Sequence, residues 1–156
     1  MAPTDQAALT SFLIYVAKNG YGNDASQKVA CDDGSTTITL SDGAWSFHDN
    51  YFTSRDQTRF HGREVISRDG TPTWFLAYSG FVRHEAKPGE VYTFLKQALR
   101  HPDANLPIRG PLDYLDEAWH YTLQPSAGLD EFFAIERITK DDVEAYVAYL
   151  TGGLIA

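Results

Sequence analysis

Three carboxylates in this chain sit among rings and aliphatic side chains, where a carboxyl group can serve as a general acid or base. Asp49 stands between Phe47 and Tyr51 at a two-residue period. Glu64 lies beside Val65 and Ile66, and Glu136 beside Ile135, a little after Phe132 and Phe133. Burial among apolar groups disfavours the charged form and lifts a carboxyl pKa toward neutrality, which suits proton transfer. The plainer reading is that each acid faces solvent or pairs with an arginine such as Arg59, Arg63 or Arg137. Asp49 and Glu64 are the candidate catalytic pair. Arg109 precedes the stiff corner Gly110-Pro111. It could clamp a carboxylate or phosphate on a ligand, or tie its own loop to a nearby acid.

Other chemistries find less support. The five histidines, at 48, 61, 84, 101 and 120, show no metal-ligand spacing, so no metal and no cofactor is expected. His48 and Asp49 are neighbours in a strand and point to opposite faces. His120, between Trp119 and Tyr121, is a candidate proton carrier, or a surface histidine. Cys31 adjoins Asp32 and Asp33, which would raise its pKa and dull it as a nucleophile. Neither a Gly-x-Ser-x-Gly elbow nor a phosphate-binding glycine motif is present.

Aromatic residues make up 13% of the 156 residues. That is more ring surface than a core of this size needs, and some of it is expected to line a cavity or an interface. A net charge of −8 argues against nucleic acid and against an anionic membrane surface as partners of this chain alone. A single cysteine fits a reducing compartment. No signal-like or membrane-spanning segment is evident, so a cytoplasmic setting is expected.

The elements that must position these groups follow from periodicity. A helix is predicted over 4–18, with Thr4 as its cap and Leu9, Phe12, Leu13 and Val16 on one face. A second is predicted over 89–101, with Val91, Phe94, Leu95, Ala98 and Leu99 together. Asp-Gly pairs at 33, 42 and 69 punctuate a meander of strands. The arm after Asp69-Gly70 carries Trp74, Leu76 and Tyr78 on one face and Phe75, Ala77 and Phe81 on or near the other, as a central strand does. Residues 103–111 read as loop, and further strands are predicted near 118–124, 131–138 and 143–151, the last also compatible with a helix. The expected fold is a single α+β domain: a curved antiparallel half-barrel of about six to eight strands with two helices on one face. An open edge at 27–31 or 143–150 could pair two copies into a homodimer.

The pattern Asp42-Gly43-x-Trp45-x-x-x-Asp49-x-Tyr51, with Phe60-x-Gly62-x-Glu64-Val65 and Gly70-x-Pro72-x-Trp74-x-x-x-Tyr78-x-Gly80, resembles an uncharacterised bacterial domain family. Its members occur alone or behind helix-turn-helix domains of the Xre type. Tyr21-Gly22, Phe94-Leu95, Arg109-Gly110-Pro111, Phe132 to Ile138 and Gly152-Gly153 extend the resemblance over roughly residues 10–155. The chain departs from the pattern at Thr53, Leu76 and Thr151, where glycine, methionine and histidine are usual. The resemblance implies fold boundaries and no reaction.

Together these readings predict a ring-lined pocket for a small organic ligand. Tyr21, Tyr51, Trp74, Tyr78, Arg109 and Tyr121 would bind it, beside Asp49 and Glu64. The domain would then be a sensor or accessory module. The alternatives are a small acid–base enzyme (isomerase, cyclase or hydrolase) with Asp49 or Glu64 as base, and a protein-interaction module that presents aromatic rings to a partner.

Overall fold

Helix and meander alternate twice along the chain, and the computed structural model describes residues 3–155. Helix α1 (Pro3–Asn19) leads into β1 (Val29–Ala30), β2 (Thr36–Asp42), β3 (Trp45–Thr53), β4 (Arg59–Arg68) and β5 (Thr71–Val82). Helix α2 (Pro88–Leu99) precedes β6 (Asp113–Asp116), β7 (Trp119–Pro125), β8 (Glu131–Lys140) and β9 (Val143–Leu154). Helix α1 already includes Pro3, and the side chain of Thr4, expected to cap it, lies outside the described residues.

Among the described residues nine strands join one antiparallel sheet in the order β1-β2-β3-β4-β5-β9-β8-β7-β6. This corrects the expected half-barrel of six to eight strands: the sheet is flat and open. Its edges are the two shortest strands, two residues in β1 and four in β6, and they do not pair with each other. Strand β6 was hidden in the sequence because Asp-Tyr-Leu-Asp is too short and polar to show a period; pairing with β7 alone defines it. Residues 143–151 are strand, and they are not an edge. Strand β9 is paired on both sides, by β5 and β8, so it offers no open edge to a second copy.

The hairpin at Asp69-Gly70 forms as the turn chemistry predicts. Both residues have positive φ, 49° and 78°, the combination a two-residue turn needs to match the strand twist. Its second arm, β5, occupies the middle of the sheet. Within each meander the strands pair in chain order. The two meanders meet at one seam, β5 against β9, from Trp74 opposite Leu154 to Val82 opposite Tyr146.

One sheet face is covered. The predicted helical faces, Leu9 to Val16 of α1 and Val91 to Leu99 of α2, are buried against it. Phe12 stacks on Trp45 and Phe94 on Trp119. The opposite face leaves Phe52, Phe133 and Tyr149 largely exposed. On the covered face small residues gather near the seam: Gly80 opposes Ala148, and Ala148 opposes Glu136. They leave room for longer polar side chains.

Trp74 is fully buried, stacks on Phe132 and donates its indole N–H to the Leu129 carbonyl at 3.1 Å. Replacing it by Phe removes that bond and part of the packing. Trp74→Phe should therefore lower unfolding free energy by about 2 kcal/mol, read from the midpoint of a urea titration.

Candidate functional site

Strand pairing brings the two candidate acids together. Asp49 of β3 lies directly opposite Glu64 of β4 on the covered face, a position in which like charges repel. Tyr78, two strands from Asp49, donates its hydroxyl to Asp49 Oδ1 at 2.6 Å. That hydroxyl passes over Gly62, which stands between Tyr51 and Tyr78 in the register. A Cβ at position 62 would come within 2.5 Å of the Tyr78 hydroxyl and 2.6 Å of Tyr51 Cβ, so only glycine fits.

Arg109 enters from the loop after α2 and is almost completely buried. Its Nε donates to Glu136 Oε2 at 3.2 Å, and its Nη1 lies 3.5 Å from Glu64 Oε1. Its guanidinium sits 5.1 Å from the centre of the Tyr78 ring. Glu136 also accepts the hydroxyls of Tyr121 and Tyr146, each at 2.6 Å. Three donors thus satisfy one fully buried carboxylate, as burial of such a group demands.

Burial sets the protonation of this cluster. It pushes the Glu64 carboxyl up to about 8, with the Asp49 charge adding to the effect and Arg109 opposing it. It pushes Asp49 up to about 6, against the Tyr78 hydrogen bond and Arg109. Tyr78 is held far above its ordinary value, first by burial and then by Asp49. Burial works against the charge of Arg109, but Glu136, Tyr146 and Glu64 outweigh it and keep the guanidinium firmly protonated.

Above the cluster opens a cleft of about 430 Å³. Tyr21, Tyr51, Tyr78 and Tyr92 form its walls, Arg109 and Phe60 reach its floor, and Lys28 and Lys96 stand at its side. Tyr21 meets Tyr51 edge to face at 6.2 Å. Burial pushes the Tyr51 and Tyr92 phenols up to about 12, so both remain neutral donors. Asp49 and Glu64 do not line this cleft. Tyr78 and Arg109 stand between them and it, and Glu64 faces a separate, water-sized cavity of about 30 Å³.

Of the sequence candidates, then, Tyr21, Tyr51, Tyr78 and Arg109 meet at the cleft, with Asp49 and Glu64 behind them. Tyr121 belongs to the buried layer beneath, through Glu136. Trp74 belongs to the core, held by Phe132 and Leu129. His120 pairs with Asp113 at 2.9 Å on the exposed edge of the sheet. Reasoning from the sequence missed Tyr146, Lys28, Tyr92 and Lys96, and weighed Glu136 without choosing it. No local pattern marks Glu136 and Tyr146, because the small residues that make room for them lie on neighbouring strands. Among the described residues no three His, Cys, Asp or Glu side chains gather as a metal site would need.

A family model described as a domain of unknown function (DUF5680) matches residues 49–155, more than half of the chain. It takes in the whole buried cluster and leaves out α1, Tyr21 and Lys28, so it starts later than the resemblance over residues 10–155 suggested. No curated protein and no solved structure matches the chain.

The acid pair gives stability a definite pH dependence. Folded, Asp49 and Glu64 keep protons that they would release once unfolded, above the usual carboxylate range near about pH 4. The folded state therefore binds more protons than the unfolded one between about pH 4 and 8, and stability falls as pH rises. This contribution is fully present below about pH 4 and is lost as pH climbs through about 6 and about 8. Melting temperatures should drop between about pH 5 and 8.5, and Glu64→Gln should flatten the upper half of that slope. Equal slopes in both proteins would refute the assignment. Glu136→Ala leaves two buried tyrosine hydroxyls without their acceptor and Arg109 with Glu64 alone, and should cost about 3–5 kcal/mol in the same urea titration.

Proposed function

Since the chain belongs to the DUF5680 family, whose description names no activity, we propose from geometry that it binds a small organic molecule in the tyrosine-walled cleft, as a sensor or accessory domain. The observation that carries this reading is the cleft itself: about 430 Å³, four tyrosine walls and a guanidinium whose position is fixed from below. Ligand sites are typically concave, largely apolar and supplied with a few fixed polar groups. Pinning by Glu64 and Glu136 means that Arg109 loses little freedom when a ligand arrives, which favours affinity.

An acid–base enzyme is the second reading. Tyr78 is the side chain that touches both the cleft and Asp49, at 2.6 Å, so it could relay a proton between a bound molecule and a buried base. In that case Asp49→Asn abolishes turnover while binding persists. In a sensor the same change alters affinity at most. No helix among the described residues is long and apolar enough to cross a membrane. A cytoplasmic setting, and the link to transcriptional regulators of the helix-turn-helix type, belong to this proposal as its biological context.

A thermal-shift screen against a metabolite library tests the binding reading. A compound at about 100 times its dissociation constant should stabilise the chain by about 2.7 kcal/mol. Tyr51→Ala opens one wall of the cleft and should abolish that shift while the unliganded protein still melts cooperatively. A library without a hit, or a hit indifferent to Tyr51→Ala, would overturn the reading.

A further inference from the structure

The cleft has a charge character opposite to that of the chain. The protein carries 21 acidic against 13 basic residues, yet the described residues lining the cleft include Lys28, Lys96 and Arg109 and no carboxylate. Two of the three cations converge on one ring: the Lys28 ammonium lies 5.0 Å and that of Lys96 5.6 Å from the centre of Tyr21. Arg109 is already matched by Glu64 and Glu136. Among the described residues the one carboxylate in salt-bridge contact with either lysine is Asp24, which is three-quarters exposed and lies 3.2 Å from Lys96. Two ammonium groups so placed repel each other and hold charge that a bound anion would neutralise. In agreement, burial first and then the neighbouring Lys96 depress the Lys28 pKa.

We propose that the cleft is built for a ring-bearing organic anion, an aromatic or conjugated carboxylate whose acid group sits between Lys28 and Lys96 and whose ring lies among Tyr21, Tyr51 and Tyr92. This rests on the cleft being a ligand site and adds its chemical class. The tyrosine walls supply stacking and edge contacts to a planar ring. The lysines supply charge-assisted hydrogen bonds, stronger than those to a neutral isostere. Asp24 is the chain's own competitor for Lys96. A ligand carboxylate would displace a contact that is largely solvated and therefore weak.

Matched pairs of one- and two-ring aromatic carboxylates and their primary amides, benzoate with benzamide and 2-naphthoate with 2-naphthamide among them, provide the test by ligand-observed NMR titration. The carboxylate should bind about tenfold or more tighter than its amide, the worth of one charge-assisted hydrogen bond, and lose that advantage at high salt. Lys28→Gln changes an exposed residue and should leave folding intact while shrinking the acid-to-amide ratio about tenfold. Asp24→Asn should move the ratio the other way. Acids and amides that bind alike, or ratios unmoved by both variants, would overturn the anion assignment and leave the binding reading standing. If no acid and no amide bound at millimolar concentration, the anion assignment would fall, and the binding reading would be decided by the library screen.

Discussion

The buried carboxyl groups of the described residues are arranged around one buried cation. Arg109 has given up its water, and a guanidinium in that position is tolerable only with carboxylates at hydrogen-bond range. It finds one, Glu136 from the second meander, and a second carboxyl group, Glu64 from the first, at ion-pair distance, the two on strands three apart in the sheet. The other features follow from this pairing. Glu136 needs Tyr121 and Tyr146 to complete its shell. Glu64 lies opposite Asp49, so that pair has to share protons. Asp49 in turn takes the Tyr78 hydroxyl, and Tyr78 presents its ring to the guanidinium. The glycines and alanines along the seam are the complement of this cluster, since larger residues would fill the space it occupies.

The interior is layered by charge. Deepest lie Glu136 and its tyrosines, next Arg109 with Glu64 and Asp49, then the ring of Tyr78, and outermost the cleft with its lysines. Acids are thus present in number but kept on the far side of Tyr78 and Arg109. A molecule in the cleft meets phenol groups and cations. The carboxylates act on it through the groups that they hold in place, which costs little reorganisation at the moment of binding.

How much of this was legible in the sequence depends on the range over which each feature is encoded. Local features were readable: the apolar faces of both helices, the Asp69-Gly70 turn, the central standing of the arm after it, and the shared face of Asp49 and Tyr51. Period-two patterning tells which side of a strand a residue occupies. It does not tell which strand lies beside it, and so the β5–β9 seam was invisible and Glu136 could not be matched with Arg109. The same gap made residues 143–150 look like a free edge. Trp74 sits on the same face as Tyr78, yet four residues along the strand carry it from the cluster into the core. Lys28 and Lys96 come from a loop and a helix far apart in sequence, and only the folded chain sets them over one tyrosine.

The seam has a consequence for how the protein is made. Strands β1 to β5 can pair in succession as they leave the ribosome, but the partner of β5's free side is β9, the last of the nine to be synthesised. Until it arrives, the emerging first half carries Asp49 and Glu64 with no guanidinium to face them, and a long, largely apolar strand with one unpaired side. Such intermediates are slow to complete, and they are sites of association in crowded surroundings.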